Sequence, residues 1–380
     1  MTRAGGLAEL FYRNPVRALV TAVRGRYGTR RARLRQALNG KQGSPRIAID
    51  AMGGDHAPEE IVAGAVLAHR DGLGRMILVG DESRLAPLLA QHQAAELEVV
   101  HAPSAIAMDA NPSQAVRGSD DTSLGVAIAL LRDGLADAVV SAGNSGAFLA
   151  IALIRLRTIP GIARPAIAVV FPGKKGPVIL LDAGANVDCK PEWLAQFGLM
   201  GAAYAKAVLD IPNPRVGIIS VGEERVKGNA QTIEAARFLD AAPLNFIGNL
   251  DGKDVLVNVA DVCVTDGFVG NVMLKLAEGA ASLIGEIIVG EIRGGGPVTM
   301  LGALLMRPAL RKVRAKLNYD NYGGAPLLGL RGNCIVAHGR ANRQAMRSAI
   351  RAAVAEVRED VVGRIAELVG GSELPATREA

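Results

Sequence analysis

Four short apolar segments of the chain each end in a cluster of Gly, Asp and Asn. They are IAIDAMGGDHAP at 47–58, VVSAGNSGA at 139–147, VILLDAGANVD at 178–188 and VCVTDGFVGN at 262–271. Because open α/β sheets bind ligands beyond the carboxyl ends of their strands, we expect the four ends to converge on one site. Glycine lets backbone N–H groups approach an anion, and a following helix N-terminus adds partial positive charge. The pattern predicts a ligand that carries phosphate or another oxyanion.

The best candidates for binding that anion lie in the second cluster and beside the first. The second cluster offers Gly143, Asn144, Ser145 and Gly146, and Ser123 is expected to add a hydroxyl. Gly53, Gly54 and Asp55 are expected to line the same rim, although a tight turn explains the two glycines equally well.

Apolar runs alternate with helical patterns, which is typical of βα units. The pattern predicts strands at 46–51, 75–80, 97–101, 138–142, 166–171, 177–182, 215–220, 244–248, 262–265 and 333–337. It predicts helices at 58–70, 83–92, 121–133, 145–157, 191–209, 229–240, 269–292 and 341–368. The segment 293–330 breaks the alternation and is predicted to be an arm: a glycine-rich hinge, an amphipathic stretch at 298–317 and a glycine-rich loop. We therefore expect residues 45–380 to form one α/β catalytic domain with this arm inserted.

Composition indicates a globular protein that keeps its thiols reduced. The chain has 380 residues, of which 49% are hydrophobic and 21% charged, enough for one large or two moderate cores. Aromatic residues make up only 3%, so stacking platforms for single-stranded nucleic acid are poorly supplied. The three cysteines match no metal or disulfide pattern, which favours a cytoplasmic location and packing roles. No secretory signal is evident, and the charged residues within 272–292 favour a helix buried in protein over a membrane span.

The first 44 residues are strongly basic. They contain ten Lys or Arg and one acidic residue, a charge of +9, whereas the whole chain carries +6, so the rest is net acidic. This extension could lie on an anionic membrane surface, could resemble an organelle transit peptide, or could be upstream sequence from a misplaced start. We expect a mobile tail with no catalytic role.

The clusters and the segments between them form an ordered set of motifs. The set is DAMGGDHAP, PSQAVR, SAGNSGA, LDAGANVDCKP, PNPRVGIISVGEE with KGN, NFIGN, TDGFVGNV, NYGGAPLLGLRG and AHG. It resembles the PlsX family of phosphate acyltransferases, from about Arg46 to about Leu368. The resemblance implies a three-layer α/β/α sandwich related to phosphotransacetylases and to isocitrate and isopropylmalate dehydrogenases. It also implies a homodimer that makes acyl phosphate from acyl-acyl carrier protein and inorganic phosphate, without cofactor or metal, for a downstream glycerol-phosphate acyltransferase in phospholipid synthesis.

Three positions depart from the family pattern. The usual GNTGA has Ser145 in place of Thr, which keeps the hydroxyl. The usual SSM-like element is Thr122-Ser123-Leu124, preceded by two aspartates where relatives are often basic. The usual Thr of DGFTGN is Val269, so the role of that hydroxyl is in question here.

The resemblance assigns catalysis to Lys227 in VKGN and Asn271 in DGFVGN. A compact cation at Lys227 would bind phosphate and offset developing charge, although a solvated loop lysine is the ordinary alternative. An amide N–H of Asn271 would stabilise the thioester oxygen, and a helix N-cap is its alternative structural role. A thiol with a pKa of roughly 8.5 can leave without a strong acid, so no Ser-His-Asp triad is required.

Three aspartates at strand ends, Asp50, Asp182 and Asp266, could hold Mg²⁺. We favour a role in capping loops and orienting Lys227. His338 in AHG is the one histidine placed to act as a base, and a structural role is its alternative; His56 is expected to be dispensable.

On the arm, Arg307, Arg311 and Arg314 fall on a different helical face from the leucines. They are expected to contact the acidic carrier protein or an anionic membrane, with the arm also used in dimerisation. Two other functions stay open at this stage: a short-chain acyl-CoA phosphotransacetylase and a non-catalytic membrane scaffold for lipid enzymes. A nicotinamide dehydrogenase is disfavoured because no G-x-G-x-x-G follows the first strand.

Overall fold

The computed structural model describes residues 43–317 and 323–372, without the side chains of 312–317. Contacts divide the chain into two units, Met1–Ser44 and Pro45–Ala380, and the second is described below. The predicted basic extension, apart from residues 43 and 44, lies outside the described residues.

Eleven strands form one mixed sheet. They are β1 (Arg46–Asp50), β2 (Arg75–Gly80), β3 (Glu98–His101), β4 (Ala138–Ser141), β5 (Ala166–Gly173), β6 (Gly176–Leu181), β7 (Arg215–Ile219), β8 (Asn245–Leu250), β9 (Val262–Val264), β10 (Ala325–Leu328) and β11 (Asn333–Val336). The strand order is β3-β2-β1-β4-β11-β10-β5-β6-β9-β7-β8.

The two halves of this sheet run in opposite directions. Strands β1 to β4 and β11 are mutually parallel, as are β6, β9, β7 and β8. Between the halves, β10 is antiparallel to both β11 and β5, and β5 is antiparallel to β6. Three reversals in succession leave the second half antiparallel to the first.

The reversal between β5 and β6 has a local cause. Only two residues, Lys174 and Lys175, separate the strands, and Gly173 pairs with Gly176 across the turn. A parallel crossover needs a dozen or more residues, so a connection this short forces an antiparallel hairpin. Gly176 has φ +151°, a conformation that favours glycine.

Twelve helices accompany the described strands. They are α1 (Glu59–Arg70), α2 (Glu82–Gln91), α3 (Pro112–Arg117), α4 (Ser123–Arg132), α5 (Ser145–Leu156), α6 (Pro191–Val208), α7 (Ala230–Ala241), α8 (Asp254–Val257), α9 (Gly267–Gly294), α10 (Gly296–Leu317), α11 (Arg343–Arg358) and α12 (Val361–Gly370). None of the described helices is long and apolar enough to span a membrane.

Helices cover both faces of the sheet, which confirms the predicted three-layer α/β/α sandwich. Successive residues of β1 point to opposite faces: Ala48 packs in the core under α4 and α5, whereas Ile47 and Ile49 pack under α1 and α11. A third core lies under α6 and α12. Such strands, buried on both sides, read as continuous apolar runs.

Three local expectations were wrong. The predicted helix at 341–368 is divided by Asp360, which adopts φ +47° between α11 and α12. The glycine-rich loop expected at the end of the segment 293–330 contains β10 (Ala325–Leu328). The third concerns 272–292: α9 is helical, but much of it is exposed rather than buried, for example Leu276 at 71% and Leu283 at 58%.

Candidate functional site

The carboxyl ends of β1, β4 and β11 form what we call the first rim. Asp50 ends β1 and is buried; it accepts a hydrogen bond from the Ser141 hydroxyl at 2.6 Å. The same hydroxyl accepts one from the Gly143 backbone N–H at 3.0 Å. A Cβ on Gly53 would lie 2.9 Å from the Gly143 nitrogen, so glycine allows these two loops to approach closely.

The start of α5 holds the predicted phosphate cradle on this rim. Asn144 caps the helix by accepting from the Ala147 N–H at 2.9 Å, and its amide donates to the carbonyl oxygens of Met108 and Ala110. The Asn144 side chain is therefore committed to holding two loops together. The backbone N–H groups of Ser145 and Gly146 have no acceptor among the described residues, as expected for the first turn of a helix.

Ser123 opens α4 beside Asp50 and is 1% exposed. Its hydroxyl lowers the pKa of Asp50, but makes no hydrogen bond of ordinary length among the described residues. Burial dominates and raises the pKa of Asp50. A buried hydroxyl without a partner is costly unless a ligand or water pairs with it.

The remaining residues predicted for the first rim are also brought together. The Asp55 N–H donates to the Gly339 carbonyl at 2.8 Å, which joins the loop after β1 to the loop after β11. Gly54 has φ +111°, a conformation that favours glycine. His338 is exposed, and its Nδ1 accepts a hydrogen bond from the Arg340 N–H at 3.2 Å. Its side chain therefore stabilises the turn after β11.

The carboxyl ends of β6, β9, β7 and β8 form the second rim. The buried Asp182 follows β6 and accepts hydrogen bonds from five N–H groups, those of Ile167, Gly184, Ala185 and the backbone and side chain of Asn186. Burial raises its pKa, and these donors oppose that effect. The backbone N–H groups of Gly184, Ala185 and Asn186, in the loop after β6, therefore all donate to Asp182.

Asn271 lies on the second rim near the start of α9. Asp266, not Asn271, caps this helix, accepting from the Val269 N–H at 2.8 Å. The side chain of Asn271 is exposed and donates to no acceptor in the described part of the chain. A Cβ on Gly184 would lie 3.7 Å from Asn271, which places the amide against the loop that Asp182 organises.

Lys227 lies on the same rim, in the loop between β7 and α7. Its ammonium is 2.8 Å from a carboxylate oxygen of Glu224. This partner raises the pKa of Lys227, and the lysine lowers the pKa of Glu224. The expectation that Asp50, Asp182 or Asp266 orients Lys227 was wrong, because each caps its own loop or helix and Glu224 is the lysine's partner.

The loop of Lys227 is fixed by Asn249, which the sequence analysis did not single out. Asn249 ends β8 in the NFIGN motif and is 7% exposed. Its amide nitrogen donates to the carbonyl oxygens of Glu224 and Lys227, at 2.8 and 3.0 Å. The sequence signal that could have identified Asn249 is a polar residue at the end of an apolar strand.

The carboxylates proposed as an alternative magnesium site do not cluster. Asp50 lies on the first rim, whereas Asp182 and Asp266 lie on the second. Among the described residues, the grouping with suitable spacing is Glu223, Asp251 and Asp254. Lys253 already pairs with two of these carboxylates.

The expectation that four strand ends converge was wrong within one chain. β1 and β4 run antiparallel to β6 and β9, so the two rims face opposite ends of the strands. Four strand spacings separate β4 from β6, or about 19 Å at the usual spacing. The structure therefore brings the phosphate candidates together on one rim and both catalytic candidates together on the other.

The arginines predicted to contact a partner lie on α10, a helix that contributes no residue to either rim. Arg307 and Arg311 are exposed, and the side chain of Arg314 lies outside the described residues.

Comparison with known proteins agrees with the fold. The chain matches the model of the family described as "Fatty acid synthesis protein" over residues 45–364. It is 47% identical to a phosphate acyltransferase of Moorella thermoacetica over 329 residues, covering 86% of this chain and 97% of the relative. It is 48% identical to the phosphate acyltransferase of Pelotomaculum thermopropionicum, with 86% and 94% covered.

Solved structures show the same architecture at lower identity. A phosphotransacetylase from Streptococcus pyogenes superposes with a TM-score of 0.58 at 18% identity, covering 83% of this chain and 94% of its own. A phosphotransacetylase from Staphylococcus aureus gives 0.54 at 15% identity, with the same coverage.

Proposed function

Because this chain belongs to the fatty acid synthesis protein family and is a phosphate acyltransferase, we propose that its acyl donor is an acyl-acyl carrier protein and that its product is acyl phosphate. A phosphate oxygen forms a bond to the thioester carbon, the C–S bond breaks, and the carrier's thiolate leaves. No cofactor or metal enters this reaction.

The observation that carries the proposal is the location of Lys227 and Asn271 on the same rim, at the carboxyl ends of β7 and β9. The exposed ammonium of Lys227 and the amide of Asn271, which donates to no acceptor in the described part of the chain, suit a reaction in which negative charge builds on a carbonyl oxygen. Asn271 donates an N–H to that oxygen, and Lys227 offsets the charge of the attacking phosphate. The second phosphate ionisation falls near pH ~6 by analogy with phosphoserine, so the dianion needs no base at neutral pH.

We assign the phosphate cradle to the first rim, which a second copy of the chain would bring to the second rim in the homodimer that the family resemblance implies. The backbone N–H groups of Ser145 and Gly146, which have no acceptor among the described residues, and the buried Ser123 hydroxyl offer donors to one oxyanion. The N-terminal ends of α4 and α5 add partial positive charge there. Gly143 and Gly53 keep the backbone open, and Asp55 and His338 border the rim.

A long acyl chain is favoured by the surface beside Asn271. Phe268, Val272 and Leu276 lie at four-residue spacing on α9 and are 61%, 50% and 71% exposed. Residues four apart share one helix face, so an apolar stripe begins next to the proposed oxyanion donor.

The test is an assay of thiol release that depends on phosphate. Purified protein is given either long-chain acyl-carrier protein or acetyl-CoA, with and without phosphate, and acyl phosphate is trapped with hydroxylamine. We expect phosphate-dependent turnover of the carrier-bound substrate. Preference for acetyl-CoA would assign a short-chain phosphotransacetylase, and the absence of both activities would favour the non-catalytic scaffold.

We further propose that the protein works as a homodimer in the cytoplasm, associating peripherally with the anionic inner face of the membrane. The product, an activated acyl group, suits a downstream glycerol-phosphate acyltransferase in phospholipid synthesis. The exposed apolar residues of α9 and α10 support association with a second copy or with a membrane.

A further inference from the structure

We propose that Arg164, Lys190 and Trp193 form a binding site for the phosphodiester at the far end of the donor's pantetheine arm. An acyl carrier protein holds its thioester on such an arm, so the inference rests on the proposed function and places a further part of the donor on this chain. The observation that carries it is a pair of cations that share one aromatic ring beside the rim of Asn271.

The two cations lie over the ring of Trp193, the single tryptophan of the chain. The guanidinium carbon of Arg164 is 5.2 Å from the ring centroid, and the ammonium of Lys190 is 5.9 Å from it. A cation within about 6 Å of an aromatic ring is attracted to its face. The ring therefore holds two positive charges together without neutralising either.

Both charges remain available to a ligand. The side chains of Arg164 and Lys190 are exposed, and within the described ranges neither forms an ion pair with a carboxylate, although Asp188 and Glu192 are close in sequence. Like charges repel, and an anion that pairs with both relieves that repulsion. Phosphate oxygens suit the two, because they accept charge-assisted hydrogen bonds from guanidinium and ammonium groups alike.

The start of α6 adds to this preference for an anion. Lys190 is the N-cap residue of this 18-residue helix, and its side chain makes no capping hydrogen bond. The partial positive charge of a helix N-terminus therefore lies at the patch. The indole nitrogen of Trp193 is buried, so this residue presents its ring, and not its N–H group, to the ligand.

The loop after β6 joins the patch to the proposed oxyanion donor. The side-chain amide of Asn186, in that loop, donates to the carbonyl oxygen of Pro165, which follows Arg164, at 2.8 Å. The same loop lies against Asn271, because a Cβ on Gly184 would be 3.7 Å from it. Arg164 and Asn271 are thus held on two sides of one loop.

A second contact leads from the patch towards Lys227. The carbonyl oxygen of Cys189, which precedes Lys190, accepts a hydrogen bond from the side-chain amide of Gln231 at 2.6 Å. Gln231 lies in the first turn of α7, four residues after Lys227. An arm running from the thioester to the patch would pass along the loop after β6, where Val187 is 59% exposed and offers an apolar contact to the methyl groups of the arm.

Inorganic phosphate, the second substrate, carries the same kind of oxygen, but its place is at the thioester. Reacting atoms must come within about 3–3.5 Å, whereas β5, which Arg164 precedes, is two strand spacings from β9, or about 10 Å at the usual spacing. The phosphodiester is separated from the thioester by the whole arm. A site beside the rim therefore suits the phosphodiester.

Trp193 allows binding to be measured without turnover, because the fluorescence of the single tryptophan reports on this patch. The protein is titrated with 4′-phosphopantetheine, pantetheine or inorganic phosphate, and calorimetry provides an independent Kd. We expect 4′-phosphopantetheine to bind more tightly than either of the others. In Arg164→Gln/Lys190→Gln its Kd should rise by about tenfold or more, the scale of one charge-assisted hydrogen bond.

The matched control is Lys174→Gln/Lys175→Gln. It removes the same charge from two exposed lysines in the turn between β5 and β6, at the other end of these strands. Its Kd for 4′-phosphopantetheine should equal that of the wild type. Melting of both double variants checks that they are folded.

Kinetics then compare two donors that differ only in the phosphate, acyl-4′-phosphopantetheine and acyl-pantetheine. In Arg164→Gln/Lys190→Gln, KM should rise about tenfold or more for the phosphorylated donor, with kcat little changed. KM for acyl-pantetheine and for inorganic phosphate should stay as in the wild type.

Four results would overturn the inference. Equal losses with both donors would mean that the cations act on the site as a whole, and a loss confined to acyl-carrier protein would mean that they contact the carrier's protein surface. A raised KM for inorganic phosphate alone would reassign the patch to that substrate. Equal affinity of the wild type for pantetheine and 4′-phosphopantetheine would leave the cations without a phosphate to bind.

Failure of the proposed function gives a different result. The wild type would then bind 4′-phosphopantetheine at this patch but show no phosphate-dependent turnover of any thioester.

Discussion

The side-chain amide of Asn249 donates a hydrogen bond to the carbonyl oxygen of Lys227 at 3.0 Å, and its second hydrogen bond, at 2.8 Å, goes to the carbonyl of Glu224. One buried residue at the end of β8 therefore fixes the backbone at both members of the exposed Lys227–Glu224 ion pair. Exposed ion pairs alone contribute little, so the buried amide is the stronger restraint on where the ammonium lies.

Asn249→Ala should lower kcat by about tenfold to a hundredfold, because a shift of about 1 Å in a positioning element can cost that much. KM for acyl-carrier protein should change little. The control is Asn245→Ala on the same strand, whose amide reaches the Asn213 carbonyl only at 3.4 Å. In the Lys227→Ala background, Asn249→Ala should have no further effect on kcat; additive losses would mean that Asn249 acts independently of the lysine.

Lys227→Ala and Asn271→Ala should each lower kcat by about 10² or more with unchanged melting, because both are assigned to charge stabilisation. Lys253→Ala is the matched control: this exposed lysine lies on the same rim and pairs with Asp251 at 2.7 Å. Its loss should leave turnover near normal. Equal effects of the two lysine variants would indicate a general effect of charge rather than a role specific to Lys227.

Much of the fold was predictable because buried strands and their polar ends are strong local signals. The strands around Asp50, Asp182 and Asp266 were placed correctly, and these aspartates cap loops or helices as expected. Lys227 and Asn271 share one rim, although it was the resemblance to a family, not periodicity, that selected them.

The sequence analysis did not predict the direction of the strands. For that reason it wrongly expected the four strand ends to converge on one site. Alternating strand and helix patterns suggest a parallel sheet, but the connection at residues 174–175 is too short for a crossover. That signal was present and was not used. The exposed face of α9 could not be recognised, because an apolar stripe at helical spacing looks the same whether it packs within one chain or against another.

Val269→Thr should change activity by less than about tenfold, since Ser145 and the neighbouring N–H groups are assigned to phosphate on the other rim. Val269 is partly buried and packs against the core beneath α9, so an added hydroxyl would also need a partner there. Steady-state kinetics and melting of the variant measure both effects. A much larger gain in kcat would show that the native site lacks a donor at this position.

Glu356→Gln should stabilise the protein increasingly as pH rises above about 4.5. Glu356 is 2% exposed on α11, one of its oxygens has no partner among the described residues, and burial raises its pKa well above the ordinary value. The folded protein therefore holds a proton that the unfolded chain releases. Between the two pKa values, stability falls by about 1.4 kcal/mol for each pH unit.

The measurement for Glu356 is the free energy of unfolding of both proteins between pH 4 and pH 8. Glutamine is neutral throughout, so the difference between variant and wild type should be small at pH 4 and grow with pH. A difference that stays constant across this range would mean that Glu356 is not protonated in the folded state. Burial raises the pKa values of Tyr204 and Cys334, and Glu356 adds to both shifts, so these two residues are titratable neighbours of Glu356.

Charge reversal on the arm should weaken docking of the carrier protein. Arg307 and Arg311 are exposed and four residues apart on α10, so they share one helix face, and an acidic carrier would be attracted to it. Arg307→Glu/Arg311→Glu should raise KM for acyl-carrier protein and flatten its dependence on salt, with kcat little changed, because charges at the edge of an interface act mainly on encounter.

The double variant Arg84→Glu/Lys206→Glu makes the same change in net charge at exposed positions elsewhere and should leave both quantities unchanged. If the arm variant keeps its KM but no longer sediments with anionic vesicles, the face binds membrane rather than carrier; if neither property changes, the arginines have no role in docking.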